Sequence, residues 1–132
     1  MERTSETHPL IVASVEIPGG GRIGMTLCPG KKQARARMAH LSLPIPDYGL
    51  PGPEWEAAWE TEGLRLRSIL RRGGRICLHC MGGLGRSGTI AARLLVELGV
   101  PPEDAIRSVR AARPGAVKTK EQEEYVRAVR TV

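Results

Sequence analysis

The sequence predicts a single α/β domain with a mainly parallel central sheet flanked by helices. Short runs of β-branched and aliphatic residues, typical of strands, alternate with longer segments whose apolar residues recur at helical spacing. The strand-like runs precede the helix-like segments, and strands connected through helices pair in parallel. The 132 residues suit one hydrophobic core, so residues 1–132 are expected to form one domain, with 1–9 flexible.

The first half of the chain predicts three strands. Residues 10–17 and 23–27 are apolar runs separated by a Pro-Gly-Gly-Gly turn, so these two strands could pair as a hairpin. A third strand is predicted at residues 40–45, after a stretch at 33–39 that favours either a helical turn or a loop. The prolines and glycines of residues 44–53 then predict an irregular loop.

The second half predicts four helices and one buried strand. In the first helix, Trp55 and Trp59 lie on an apolar stripe with near-helical spacing, and a Gly-Gly pair ends the helix. Both tryptophans are therefore expected in the core. The buried strand is predicted at residues 75–79. The four helices are predicted at residues 54–70, 87–98, 102–112 and 120–129.

The composition limits the partners that the chain could have. Its net charge of +6 can attract phosphorylated substrates, nucleic acid or an anionic membrane, although arginines spread along the chain also suit a solvated surface. Aromatic residues make up only 3% of the chain, too few to stack nucleic-acid bases, so no nucleic-acid partner is expected. Residues 1–9 lack the apolar core of a signal peptide, and no apolar run approaches the ~18 residues that span a bilayer. Three cysteines cannot all pair, which indicates a reducing compartment. Together, these observations predict a cytoplasmic protein without a membrane partner.

The segment that predicts the chemistry runs from Ile76 to Thr89 and reads ICLHCMGGLGRSGT. A strand ends at its histidine, a glycine-rich loop follows, and a helix is predicted to start near Ser87. The backbone N–H groups of such a loop, and of the helix N-terminus, can bind an anion. Cys80 lies at the centre of this positive field, which lowers the pKa of a thiol and makes its thiolate a nucleophile. Arg86 closes the loop with a planar guanidinium that matches two phosphate oxygens.

The spacing of this segment therefore predicts a phosphate-binding loop with a cysteine nucleophile. A structural glycine-rich turn around a buried cysteine is the alternative, and the full string from His79 to Gly88 disfavours it. The hydroxyl of Ser87 can reach back to the sulfur and stabilise a leaving thiolate. The residues expected to contact the phosphate are Met81, Gly82, Gly83, Leu84, Gly85 and Arg86.

The string His-Cys-(five residues)-Arg-Ser-Gly resembles the signature loop of the protein tyrosine and dual-specificity phosphatase superfamily. Within it, residues 82–87 resemble the variant found in kinase-associated phosphatases, which are similar to cyclin-dependent kinase inhibitor 3, and in bacterial relatives. The resemblance covers residues 41–128 well and 20–32 loosely. It implies a cysteine phosphatase fold and hydrolysis of phosphotyrosine, and also of phosphoserine or phosphothreonine, in proteins. It implies Cys80 as the nucleophile that forms a phosphocysteine, Arg86 as the phosphate clamp and Ser87 as the thiolate stabiliser.

The same resemblance implies a general acid on a loop roughly thirty residues before the nucleophile. Asp47, 33 positions before Cys80, fits this place, and an Asx turn is its structural alternative. Three accessory roles remain open. His79 is expected to order the loop, Gln122 either positions the hydrolytic water or is a solvated helix residue, and Lys31 either contacts phosphate or is an exposed loop lysine.

The resemblance also implies small-molecule ligands and excludes others. Phosphate, sulfate and vanadate are expected to occupy the loop. No cofactor and no metal ion are expected, since no His, Cys and Asp residues have metal-ligand spacing. Cys28 and Cys77 are expected to be buried, apolar cysteines, and a disulfide from Cys28 to Cys80 is an open alternative.

One feature departs from the family pattern. Between Lys32 and His40 the family has a longer stretch with a further helix and strand, so the fold is expected to be reduced, or a segment to be absent. Two other functions remain open: a catalytically idle phosphoprotein-binding module, and an arsenate reductase or sulfurtransferase. The Asp-bearing loop and the Ser-Gly ending of the motif disfavour the latter.

Overall fold

The computed structural model of the protein describes residues 13–27, 50–80 and 84–132. Its strands and helices are β1 (Ala13–Glu16), β2 (Arg22–Leu27), α1 (Pro53–Arg71), β3 (Arg75–Cys80), α2 (Leu84–Glu97), α3 (Pro102–Ala112) and α4 (Lys120–Arg127). The predicted α/β architecture is confirmed. The strand predicted at 40–45, the stretch at 33–39 and the expected flexibility of 1–9 lie outside the described residues.

The described sheet has the order β1-β2-β3 and is mixed. β1 and β2 pair antiparallel, with Val15 opposite Ile23, whereas β2 and β3 pair parallel, with Ile23 opposite Ile76. A tight turn closes the first pair, and Gly19 and Gly20 adopt the positive φ angles that this turn requires. The predicted hairpin is confirmed. The prediction of a mainly parallel sheet is confirmed for β2 and β3, whose connection includes α1. It is not confirmed for β1 and β2, because a short turn joins strands antiparallel.

Helix α2 is the most deeply buried helix of the described part of the chain. It packs against β2, β3, α3 and α4. Neighbouring elements cover this helix on several sides, and from its second turn to its end every residue except the half-buried Arg93 is buried. Its buried apolar residues are Ile90, Ala91, Ala92, Leu94, Leu95 and Val96. The site that follows β3 is therefore built on a helix with little freedom to shift.

The ends of the helices follow from local sequence. α1 begins at Pro53 and ends where the N–H groups of Gly73 and Gly74 donate to the carbonyls of Leu70 and Ile69. α2 begins at Leu84, three residues before the predicted start near Ser87. The prediction was late because a glycine-rich stretch can serve equally as a loop or as a first turn, whose N–H groups need no intrahelical partner.

A buried carboxylate at the end of α2 ties that helix to α1. The side chain of Glu97 is 3% exposed and accepts hydrogen bonds from three donors: Trp59 Nε1 at 3.0 Å, Arg67 Nη1 at 2.7 Å and Arg93 Nε at 2.8 Å. A buried charge is tolerated when opposite charges and hydrogen bonds surround it, as they do here.

Arg93 extends this network to α4. Its guanidinium also donates to Glu56 at 2.7 Å and lies 5.3–5.7 Å from the ring centroids of Trp55, Trp59 and Tyr125. Burial alone lowers the pKa of Arg93, but its hydrogen bonds with Glu97 and Glu56 outweigh this and raise it. Burial, together with the hydrogen bond that Tyr125 donates to Glu56, raises the pKa of Tyr125, so its hydroxyl remains protonated.

The two tryptophans lie in the core, as predicted. Trp55 and Trp59 are both buried, and their rings stack with centroids 4.9 Å apart. Among the described residues, no helix is both long enough and apolar enough to cross a membrane.

We expect Glu97→Gln to destabilise the protein strongly. The amide keeps the shape of the carboxylate but leaves the charge of Arg67, whose side chain is 6% exposed, without compensation. Breaking a buried ion pair in this way costs about 3–5 kcal/mol of unfolding free energy, measured by urea denaturation. Glu62→Gln is the matched control, because the Arg65–Glu62 pair lies at the surface of α1, and it should cost about 1 kcal/mol or less. Equal urea midpoints for the two variants would contradict the role given to Glu97.

Candidate active site

The candidate site lies where the sheet passes into α2. β3 ends at Cys80, and α2 begins at Leu84, so only three residues separate the strand from the helix. Cys80 pairs in register with Leu27, the last residue of the parallel strand β2. In open α/β sheets, ligands bind at the carboxyl ends of the parallel strands. The predicted nucleophile thus occupies the expected edge of the sheet.

The first turn of α2 carries the two residues predicted to bind phosphate and to stabilise the thiolate. Arg86 is half-buried, with its Nε shielded from solvent, and Ser87 is 5% exposed. The N–H groups of a first helical turn have no intrahelical partners, and the helix dipole adds positive potential there. Both features attract an anion.

The N-terminus of α2 also differs from the other described helices in charge. α1, α3 and α4 each place two acidic residues in the first turn, whereas α2 places none there. Acidic residues at a helix N-terminus offset the dipole. At α2 the positive end of the dipole remains available to an external anion, with Arg86 beside it.

Cys77 lies three residues before Cys80 in the same strand. It is half-buried in β3, rather than fully buried as predicted, and burial raises the pKa of its thiol. A thiol with a raised pKa stays protonated at neutral pH and reacts slowly, because the thiolate is the reactive form.

Gln122 has a structural contact that the sequence analysis did not weigh. It is 1% exposed, so the alternative of a solvated helix position is wrong. Its Oε1 accepts from the N–H of Lys118 at 2.7 Å and of Thr119 at 3.0 Å, while Thr119 Oγ1 accepts from the N–H of Gln122. This is a capping box, and the spacing Thr-x-x-Gln in the sequence was its signal. With both lone pairs of Oε1 in use, only the amide nitrogen could contact a water molecule.

Several predicted site residues lie outside the described part of the chain. These are Lys31, Asp47, Met81, Gly82 and Gly83, together with the side chains of His79, Cys80 and Leu84 and the surroundings of Gly85. Their roles, and the disulfide between Cys28 and Cys80, stay predictions. Within residues 13–27, 50–80 and 84–132, no three His, Cys, Asp or Glu side chains are grouped so that they could hold a metal ion.

Similarity to known proteins supports the resemblance noted in the sequence. Residues 29–126 match the family described as "PTP-SAK: Swiss Army Knife protein, DSP-PTPase phosphatase domain". The chain belongs to the dual-specificity and protein tyrosine phosphatase superfamily. The match includes the strand-loop-helix that carries Cys80 and Arg86, and it favours a phosphatase over an arsenate reductase or a sulfurtransferase.

Individual relatives agree with this placement of the phosphatase domain. The chain is 41% identical over 88 residues to cyclin-dependent kinase inhibitor 3 of Rattus norvegicus, a match that covers 63% of the chain and 39% of that relative. It is 41% identical over 49 residues to protein tyrosine phosphatase type IVA 3 of Homo sapiens, covering 37% of the chain and 28% of that relative. The chain thus spans well under half the length of these relatives.

A solved structure supports the fold over nearly its whole length. Tk-PTP in its active form superposes on the chain with a TM-score of 0.60 at 31% sequence identity, covering 89% of the chain and 95% of Tk-PTP. The predicted cysteine phosphatase fold is therefore confirmed.

Proposed function

We propose that the chain is a cysteine-dependent protein phosphatase that hydrolyses phosphate monoesters through a phosphocysteine intermediate. The observation that carries the proposal is the passage from β3 to α2, which places Cys80 at the end of a parallel strand and Arg86 in the helical turn that begins four residues later. Membership in the phosphatase superfamily supports the same chemistry.

In the first step, the Cys80 thiolate attacks the phosphorus of the bound ester. The sulfur–phosphorus bond forms while the bond from phosphorus to the leaving oxygen breaks, and Asp47 donates a proton to that oxygen. The guanidinium of Arg86 and the N–H groups at the start of α2 stabilise the negative charge on the three non-bridging oxygens.

In the second step, water cleaves the phosphocysteine. The Asp47 carboxylate takes a proton from the water as its oxygen bonds to phosphorus, and the sulfur–phosphorus bond breaks. The sulfur leaves as a thiolate, which the Ser87 hydroxyl stabilises, and inorganic phosphate is released. The cycle returns Asp47 to its protonated form and requires no metal ion, since Arg86 and the helix supply the positive charge.

The substrates that fit this site best are phosphorylated proteins or peptides. The net charge of +6 attracts phosphorylated partners, and the loop from Met81 to Gly85 contains no lysine that would suit a more highly charged headgroup. We propose phosphotyrosine, and also phosphoserine and phosphothreonine, as the groups that are cleaved. A reactive thiolate at Cys80 is best preserved in the reducing cytoplasm, where we place the protein.

The decisive test compares Cys80→Ser with Cys77→Ser on peptides that contain phosphotyrosine, phosphoserine or phosphothreonine. Cys80→Ser should abolish phosphate release while still binding inorganic phosphate, because a hydroxyl lacks the nucleophilicity of a thiolate but leaves the anion site in place. Cys77→Ser should retain turnover, since the raised pKa of the Cys77 thiol keeps it unreactive. Appreciable turnover by Cys80→Ser would contradict the mechanism. If the parent protein released phosphate from none of the three peptides, the proposed substrate class would be wrong.

Asp47→Asn should separate proton donation from loop structure. On peptides, whose leaving oxygen needs a proton, kcat should fall by about 10²–10⁴-fold. On p-nitrophenyl phosphate, whose leaving group is stable as an anion, the fall should be much smaller. Asp104→Asn, at an exposed position of α3, is the control and should leave both rates unchanged. Equal losses of kcat on the two substrates would mean that Asp47 shapes the loop without donating a proton.

A further inference from the structure

The loop between α3 and α4, residues 113–119, is here called the bracing loop. It contains a strained residue: Val117 has φ +53°, and among the described residues it is the one non-glycine residue with a positive φ. A β-branched residue adopts this conformation only when its surroundings enforce it, and such strain concentrates near functional sites. Val117 is also fully buried, so the conformation is held inside the protein.

Arg110, on the last turn of α3, enforces that conformation from one side. Its Nε donates to the carbonyl of Ala116 at 3.1 Å, and its Nη2 donates to the carbonyl of Val117 at 2.7 Å. Glu123 of α4 binds the same guanidinium and orients it. The hydrogen bond from Arg110 lowers the pKa of Glu123, so this carboxylate stays ionised.

Gln122 holds the other end of the bracing loop through the capping box described above. Side chains therefore bind the backbone at each of the four consecutive residues 116–119. These bonds hold the carbonyls of Ala116 and Val117 and the N–H groups of Lys118 and Thr119, on either side of the strained residue.

The bracing loop lies directly against the first turns of α2. A Cβ atom added to Gly88 would lie 2.5 Å from Ala116 Cβ, closer than such atoms approach, and 3.1 Å from the backbone nitrogen of Val117, a tight contact. Only the Ala116 methyl group and the loop backbone face Gly88 at this point. Arg113 also reaches across to the carbonyl of Met25 in β2, at 3.4 Å, and so connects the loop to the sheet.

We propose that Arg110 is a positioning residue: it holds the bracing loop against Gly88 and so fixes the first turn of α2 at the carboxyl end of β3. That turn carries Arg86 and Ser87, and their placement decides how well the phosphate is bound and how well the leaving thiolate is stabilised. A small displacement of a positioned group can reduce turnover by a large factor, even when its cause lies away from the reacting atoms. The inference rests on the proposed function, which assigns phosphate binding to this turn.

Arg110→Met tests the proposal, because methionine keeps much of the aliphatic volume and removes both hydrogen bonds to the bracing loop, together with the ion pair to Glu123. Arg107→Met is the matched control: Arg107 lies one turn earlier on α3, is 74% exposed and pairs only at the surface with Asp104. Both variants are assayed at a temperature where circular dichroism shows each to be fully folded. A purely structural role would lower the melting temperature and leave the properties of the folded protein unchanged.

For Arg110→Met we expect the Kd for inorganic phosphate to rise about tenfold and kcat/KM on phosphotyrosine peptide to fall about 10–100-fold. Arg107→Met should match the parent protein in both. Arg110→Lys, which can donate to one of the two carbonyls, should lie between them, and it decides the question alone if Arg110→Met does not fold. Values for the Arg110 variants equal to those of Arg107→Met, in an active parent, would overturn this inference alone. A parent that neither binds phosphate nor releases it from peptides would overturn the proposed function and this inference with it.

Discussion

The carboxylate of Glu97 is the interaction on which the rest of the described structure depends. It lies at the C-terminal end of the buried helix α2 and accepts hydrogen bonds from two side chains of α1 and one of α2 itself. Through Arg93 the same network reaches Tyr125 on α4. Taking this charge out of water is costly, and this arrangement of donors offsets the cost. The network therefore selects one arrangement of three helices over alternatives that would bury the charge unpaired.

The opposite end of α2 carries the candidate chemistry, and the two ends impose different constraints. At the C-terminal end, charge pairing fixes the helix to α1 and α4. At the N-terminal end, close packing fixes it, because Gly88 leaves no room between the helix and residues 116 and 117. A helix held at both ends cannot slide along its axis, so its first turn keeps a constant position relative to Cys80 at the end of β3. An anion site built from helix N–H groups needs this rigidity, since its donors must already be in place when charge develops.

Local features of this fold could be predicted from the sequence, and long-range features could not. The Trp55–Trp59 stripe and the following Gly-Gly pair predicted α1 almost to the residue. The segment around Cys80 and Arg86 predicted the strand and the helix on which the candidate site lies, because each signal lies within one short segment. The Glu97 network could not be predicted, since Trp59 and Arg67 lie 38 and 30 residues away from it in the chain. From the sequence, Arg110 could not be distinguished from the arginines of a solvated surface, because no neighbouring residue in the chain indicates that it binds two carbonyl groups. Gln122 is intermediate between these cases. The spacing Thr-x-x-Gln indicated its capping box, whereas no local signal indicated that its side chain is buried.

The central claim is that Cys80 carries the phosphoryl group during turnover, and trapping that group tests it most directly. Turnover of a phosphotyrosine peptide would be quenched in acid within milliseconds and the protein digested for mass spectrometry. We predict a phosphoryl group on the sulfur of Cys80 that accumulates before free phosphate appears and decays as phosphate is released. Turnover with the phosphoryl group on another residue, such as His79, or with no covalent adduct at any quench time, would contradict it.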